Sequence, residues 1–229
     1  MRRDVGVVIV AAGAGTRTGS TELKQFRWVA GRPMLLHSVQ RFQARDDVAM
    51  VVCVLPRNVA GDPPPWLFQA DLDRLLISVG GRVRQESVAN GLEDLPNEVE
   101  VVVVHDAARP LVTEATIDAV VQAARAGRGA IAALPVVDTL KEVDAEGRIV
   151  RTVERANLWR AQTPQAFPRA LLERAHEAAR RDRAVATDDA ALCERLGIPV
   201  VVVPGSERAM KITEEADFRR ADALAGLSE

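Results

Sequence analysis

Only two cysteines occur in the 229 residues, Cys53 and Cys193; they stand far apart, and Cys53 sits inside the apolar run VAMVVCVL. That excludes a disulfide framework, and both read as small buried hydrophobes in a reducing compartment. His37, His105 and His176 share no ligand spacing with either cysteine, so there is no zinc motif. Neither sign of charge dominates: 30 basic against 32 acidic side chains leave −2, which gives no electrostatic case for a nucleic-acid or membrane-surface partner. No apolar run approaches the roughly 18 residues of a membrane span. The start, MRRDVGVVIVAA, imitates a leader only superficially, because Asp4 interrupts it and the short apolar run ends in a glycine loop. A cytoplasmic protein is expected. Internal repeats, low-complexity tracts and a Gly-x-Ser-x-Gly elbow are also missing, so no side chain presents itself as a covalent nucleophile.

What is present is an ordinary globular composition, 48% hydrophobic and 27% charged, with one domain over residues 1–229 as the default. VGVVIV (5–10), VAMVVCVL (48–55), LLISV (75–79), VEVVVV (99–104), AIAALPV (130–136) and IPVVVV (198–203) read as strands. Their nearly continuous Val and Ile content, without polar alternation, predicts cover on both faces. Helical patterns lie between them: from Pro33 onward, over 85–95, 113–126, 168–181 and 187–196, and from a Thr213 cap followed by Glu214 and Glu215. The stripe of Ile117, Val120, Val121 and Ala124 reads as core. Such alternation predicts right-handed crossovers and an α/β fold with a doubly wound, mainly parallel, Rossmann-like sheet. The segment VVDTLKEVDAEGRIVRTVERANLW (136–159) breaks the pattern and reads as an extended hairpin turning around Asp144 to Gly147. It is either an edge hairpin folded onto its own sheet or an arm that packs on a second subunit.

The first strand runs into AAGAGTRTGSTELKQ (11–25). A dinucleotide fingerprint needs a third glycine where Thr18 stands, and an acid about twenty residues further on. None occurs from Gly31 to Gln40. A Walker loop fails as well, since Lys24 lies between Leu23 and Gln25. What survives is a loop whose Gly13 and Gly15 let backbone N–H groups converge on an anion. Arg17 and Lys24 add two full charges. That combination suits a polyphosphate whose negative charge grows as pyrophosphate departs.

The second informative stretch is VVVVHDAARP (101–110), where Asp106 emerges at the carboxyl end of a buried strand, the usual ligand side of an open α/β sheet. A carboxylate beside a polyphosphate is a natural Mg²⁺ ligand. AAGAGTR…LKQ, GGRVRQESV (80–88), HDAARP (105–110), DTLK (138–141), TVERANLWRAQTPQAF (152–167), TDDA (187–190) and KIT (211–213) follow in order. Together they closely resemble the 2-C-methyl-D-erythritol 4-phosphate cytidylyltransferase family, from the first strand to the last helix.

The resemblance implies that CTP and the sugar phosphate react with Mg²⁺ to give a CDP-linked alcohol and pyrophosphate, in the non-mevalonate route to isoprenoid precursors. It implies catalytic roles for Arg17, Lys24, Arg155 and Lys211. Ala11, Ala12, Gly13, Ala14, Gly15, Gly81, Ser87, Asp106 and Ala107 would bind CTP, with Asp106 also the metal ligand. Arg109, Thr139, Arg155, Thr163 and Thr187 would bind the acceptor. The hairpin, carrying Thr139 and Arg155, would be an arm exchanged within a homodimer. Two other readings stay open: a cytidylyltransferase for another alcohol phosphate such as ribitol 5-phosphate, and a nucleotide-binding regulator or oxidoreductase without transfer activity. The missing third glycine and the extra cations argue against the latter.

Overall fold

Val and Ile fill the central strands because each strand is sandwiched between two layers of helices. The computed structural model describes residues 2–13 and 23–227. Strand β1 (Val5–Val10) leads into the glycine loop, and a two-residue ladder, β2 (Trp28–Val29) with β3 (Arg32–Pro33), precedes helix α1 (Met34–Gln43). Then come β4 (Val48–Leu55), the short α2 (Arg57–Ala60), β5 (Leu75–Val79), α3 (Arg84–Glu93), β6 (Val101–Asp106), α4 (Glu114–Arg125) and β7 (Gly129–Pro135). The hairpin β8 (Leu140–Val143) and β9 (Ile149–Val153) follows, then β10 (Trp159–Pro168), α5 (Arg169–Asp182), α6 (Asp189–Arg195), β11 (Val200–Pro204) and α7 (Glu215–Ala225).

Seven strands form one sheet in the order β11-β7-β10-β6-β1-β4-β5. Neighbours are parallel except β10, which is antiparallel to both β6 and β7. Alternate residues of one strand enter different cores, as the period of two requires. Val5, Val7 and Ile9 of β1 join one cluster with Phe42 of α1 and Ile117, Val120 and Val121 of α4, whereas Val8 joins Val88, Leu92 and Leu172 on the opposite face. In the central strands the continuous apolar runs are thus two interleaved faces, each buried; the edge strands β5 and β11 depart from the expected cover, with Leu76, Val79 and Val202 38–45% exposed, because each has a neighbouring strand on one side only. Chain order reverses direction across the sheet at β1, which has β4 on one side and β6 on the other. Open α/β sheets bind ligands outside the carboxyl ends of the strands at such a point.

The expected strands and helices are present; the strands at 5–10, 48–55 and 75–79 keep their expected bounds and the other boundaries move by one or two residues. Pro33 precedes α1 as its N-cap instead of occupying the first turn. The cap of α7 is Glu214, not Thr213: Glu214 and Asp217 form a capping box, and Thr213 donates both its N–H and its hydroxyl to Asp217 Oδ2 at 2.8 Å. Asp188 caps α6, its side chain accepting from the N–H of Ala191. Strand β10 has no counterpart in the sequence reading.

The hairpin is shorter than the expected 136–159, with a ladder from Leu140↔Val153 to Val143↔Ile149 in a separate two-stranded sheet. Asp144 accepts from the N–H groups of Glu146 and Arg148, and Gly147 supplies the positive φ of +80° that closes the turn. The arm exposes Val137, Val143, Ile149 and Val150 at 53–67%. Among the described residues no helix is long and apolar enough to cross a membrane.

Candidate active site

The loop after β1 is pinned from below. Ala11 N–H donates to the Val54 carbonyl at 2.9 Å, and the buried Gln25 amide donates to the carbonyls of Ala11 (2.6 Å) and Gly13 (3.2 Å). Lys24 opens a single 3-10 turn and sends its ammonium 2.7 Å from the Ile212 carbonyl. Of the residues expected here, Ala14, Gly15 and Arg17 lie outside the described residues. On the facing side, Gly80 is required by close approach, because a Cβ there would stand 2.3 Å from the Ala12 Cβ. The next N–H, of Gly81, donates to Ser87 Oγ at 3.1 Å, and Ser87 in turn donates to the Val83 carbonyl at 3.1 Å. Both hydrogen-bonding roles of Ser87 are thereby used to shape the turn into α3.

Asp106 ends β6 at the centre of this arrangement. Arg84 Nε lies 3.2 Å from its Oδ1 and Lys211 Nζ lies 2.7 Å from its Oδ2. Burial opposes ionisation of this carboxyl, but Arg84 and then Lys211 override it and hold it far below the usual carboxylate range. Arg84 is shared: its Nη1 lies 2.7 Å from Oδ2 of the buried Asp189. Burial disfavours the Arg84 charge, yet Asp189 and Asp106 raise its pKa further. Asp189 also accepts from His176 Nε2 at 3.0 Å.

A neutral chain supports Asp106 from behind. The Asp106 N–H donates to Thr163 Oγ1 at 3.0 Å, leaving that hydroxyl to donate to His105 Nδ1 at 3.1 Å. His105 then carries its proton on Nε2, which donates to the Arg109 carbonyl at 3.1 Å. Complete burial, with Phe42 packed edge-on at 5.2 Å, pushes the imidazole pKa down to about 4, so the ring is neutral near pH 7. Thr163, expected at the acceptor, is buried with its hydroxyl committed to this chain.

Asp106, Arg84, Lys211 and the loop after β1 border a cavity of about 480 Å³ at the carboxyl ends of β1 and β6. Among the described residues its lining includes Ala11, Ala12, Gly13, Gly81, Ser87 and Ala107, all expected at the nucleotide. The same lining carries four cationic side chains, Lys24, Arg82, Arg84 and Lys211, against one carboxylate, Asp106. A second cavity of about 700 Å³ is lined by Arg109, Arg160, Gln162 and Arg220, and Lys211 borders both. The Arg109 guanidinium is buried and donates to the Ala209 carbonyl at 2.7 Å.

The remaining expected residues are not brought to either cavity. Thr139 and Arg155 are exposed at the base of the arm, where Arg155 Nη1 donates to the Val137 carbonyl. Thr187 is exposed ahead of α6.

The donor set can be weighed for a metal. Among the described residues there is no cluster of three or more His, Cys, Asp or Glu that could hold an ion. Asp106 is a single carboxylate, ionised near pH 7, in a cavity otherwise cationic. That fits Mg²⁺, which is commonly bound through one or two carboxylates with substrate phosphates and waters, and does not fit zinc. Sequence reasoning assigned nothing to Arg84, although it lies in the quoted GGRVRQESV, nor to Gln25, Asp189 or His176. Arg84 and Asp189 are separated by 105 residues, and no local pattern announces their meeting.

Comparison with known proteins follows the same lines. The family described as "IspD: 2-C-methyl-D-erythritol 4-phosphate cytidylyltransferase" matches residues 5–226. The chain is 41% identical over 227 residues to the 2-C-methyl-D-erythritol 4-phosphate cytidylyltransferase of Syntrophus aciditrophicus, covering 98% of this chain and 97% of that protein. It is 45% identical to the protein of that name from Streptomyces coelicolor, over 95% of this chain and 83% of the relative. A crystal structure of the Thermus thermophilus protein superposes with a TM-score of 0.83 at 38% identity, covering 99% of this chain and all of that one. The chain belongs to the 2-C-methyl-D-erythritol 4-phosphate cytidylyltransferase family.

Proposed function

We propose that the chain transfers the cytidylyl group of CTP to 2-C-methyl-D-erythritol 4-phosphate, giving 4-diphosphocytidyl-2-C-methyl-D-erythritol and pyrophosphate in the non-mevalonate isoprenoid pathway. The observation that carries this reading is the cationic cavity at the switch point of the sheet, four positive side chains around one carboxylate. Cytidine would lie against the backbone of Ala11 to Gly13, Gly81, Ser87 and Ala107, with the triphosphate toward Lys24 and Arg17.

An acceptor phosphate oxygen attacks the α-phosphorus of CTP; that P–O bond forms as the bond to the β-phosphate bridge breaks, and pyrophosphate leaves with the electron pair. The attacking oxygen is already anionic, so no general base and no covalent enzyme intermediate are needed. The obstacle is repulsion between two anions. Lys24 and Lys211 answer it by offering oriented positive charge where charge accumulates, and the family resemblance gives Arg17, outside the described residues, the same role. Asp106, with triphosphate oxygens, would hold Mg²⁺, which when bound neutralises phosphate charge. The second cavity, with Arg109 in its wall and Lys211 on the border, is the reading's place for the acceptor.

The same reading makes the arm a dimerisation element. Its exposed Val137, Val143, Ile149 and Val150 support a protein contact, since a lone two-stranded ribbon is marginal in water. Thr139 and Arg155 would then reach the acceptor site of the partner subunit, Arg155 gripping a phosphate with two parallel bonds.

The deciding assay is pyrophosphate release from CTP, with Mg²⁺ and 2-C-methyl-D-erythritol 4-phosphate both present. Release that requires all three, and fails with ATP, GTP or UTP, is expected. Equal turnover with ribitol 5-phosphate would overturn the acceptor assignment, and no release at all would overturn the reading.

A further inference from the structure

Asp189 and His176 lie outside the lining of the nucleotide cavity, yet they complete a chain of charged and polar groups that ends in it. The chain runs from His176 on α5 to Asp189 on α6, to Arg84 on α3, and to Asp106 on β6. Asp189 is 1% exposed and His176 is 5% exposed. We propose that Asp189 and His176 are positioning residues, which hold the Arg84 guanidinium and through it fix how the Asp106 carboxylate is presented to the cavity. This rests on the reading that Asp106 serves the nucleotide and its metal.

The geometry of the guanidinium carries the argument. Arg84 divides its fork between two carboxylates, Nε to Asp106 at 3.2 Å and Nη1 to Asp189 at 2.7 Å, while Nη2 is buried with no partner among the described residues. Arginine prefers to grip one carboxylate with two parallel bonds. Here Asp189 anchors Nη1, the nitrogen outside the Nε–Nη2 edge, and only Nε reaches Asp106, so Asp106 receives a single, longer bond from the guanidinium and keeps acceptor capacity for another ligand. His176 fixes the remaining oxygen of Asp189: an ionised carboxylate only accepts, so Nε2 donates across 3.0 Å. Mere cohesion of α3, α5 and α6 does not account for the arrangement, because well-packed apolar side chains do as well as a buried ion pair. Partners one step removed from a metal-binding residue typically alter metal affinity or activity by about 10- to 100-fold when lost.

The test uses Asp189→Asn, Arg84→Met and the double variant in the full chain. Asp189→Asn is expected to lower kcat at least about tenfold while leaving the acceptor KM within about twofold. In the Arg84→Met background the same change should cost nothing further, as a residue acting only through Arg84 requires. Calorimetry with CTP supplies a readout free of turnover: affinity in EDTA should be unchanged, while the gain on adding Mg²⁺ should shrink about tenfold. Because that measurement needs no catalysis, an inactive unaltered chain would count against the proposed reaction and not against this pair. A kcat within twofold of the unaltered chain, losses that multiply in the double variant, or an undiminished Mg²⁺ gain would each overturn the proposal. If circular dichroism shows Asp189→Asn unfolded, His176→Phe, which keeps a ring and removes the donor to Asp189, takes its place with the same outcomes.

Discussion

The ammonium of Lys24 lies 2.7 Å from the carbonyl oxygen of Ile212, so the cation at the end of the glycine loop is docked beside the residue that follows Lys211. Two segments separated by 188 residues thereby present their lysines to one cavity. Lys24→Ala should lower turnover by roughly 10²–10³, the scale for losing one oriented transition-state partner. Arg17→Ala, in the same loop, should do likewise. Steady-state pyrophosphate release at saturating CTP and Mg²⁺, with circular dichroism as the control for folding, measures both; near-normal turnover would remove these residues from the mechanism.

Lys211→Ala removes one of the two cations on Asp106 and leaves Arg84 alone. Turnover should again fall by roughly 10²–10³. Lys211→Arg should recover only a minor part, since a planar fork cannot reproduce a compact point charge between two cavities. Full recovery would argue that charge alone matters at this position.

Acid should destabilise the fold in two successive windows. His105 titrates near 6.5 when unfolded but is pushed down to about 4 by burial, so between those values only the unfolded chain takes up the proton. Stability therefore falls as pH drops from about 6.5 to about 4, by roughly 3 kcal/mol across the window. Asp106 behaves in the complementary way: its depressed pKa contributes stability above the unfolded value of about 4, and this is lost as pH falls further. Urea unfolding at pH 7 and pH 4.5 checks the first window. His105→Gln should flatten the difference, and an unchanged slope in that variant would assign it elsewhere.

Ile149→Glu places a charge on the apolar face of the arm, where Ile149 is 65% exposed in the single chain. Light scattering should show a dimer before the change and monomer after it, with acceptor turnover lost. A complementary check mixes Arg155→Ala with Lys24→Ala chains: partial activity in verified heterodimers is expected if each site borrows an arm. Absence of rescue would return the arm to its own subunit.

The parallel strands were legible because burial on both faces leaves an unbroken apolar signature, as in VGVVIV and VAMVVCVL. Strand β10 was not, although it lies between β6 and β7. Its centre reads Gln162, Thr163, Pro164 and Gln165, a polar stretch that resembles a loop. The structure satisfies each polar side chain individually: Gln162 with Ser206 (3.0 and 3.2 Å), Thr163 with His105, and Gln165 with Asp188 (2.8 Å). The ladder to β7 is irregular between Ala161 and Gln165, as happens where a strand re-aims side chains beside a site. Lys24 and Asp106 were legible in the loop and at the strand end themselves, and Gly81, Ser87 and Lys211 through the family resemblance, as residues that line one cavity. Arg84 and Asp189 were not, because their meaning is the contact itself.

Lys211 borders both cavities with one positive charge. An anion seated on either side changes the electrostatic potential felt on the other, and by thermodynamic reciprocity each ligand must alter the affinity for its companion by the same factor. Before reaction the two anions are rivals for a single ammonium, and only when their phosphates converge can both be served by it. The coupling between the two cavities is thus written into the position of one side chain.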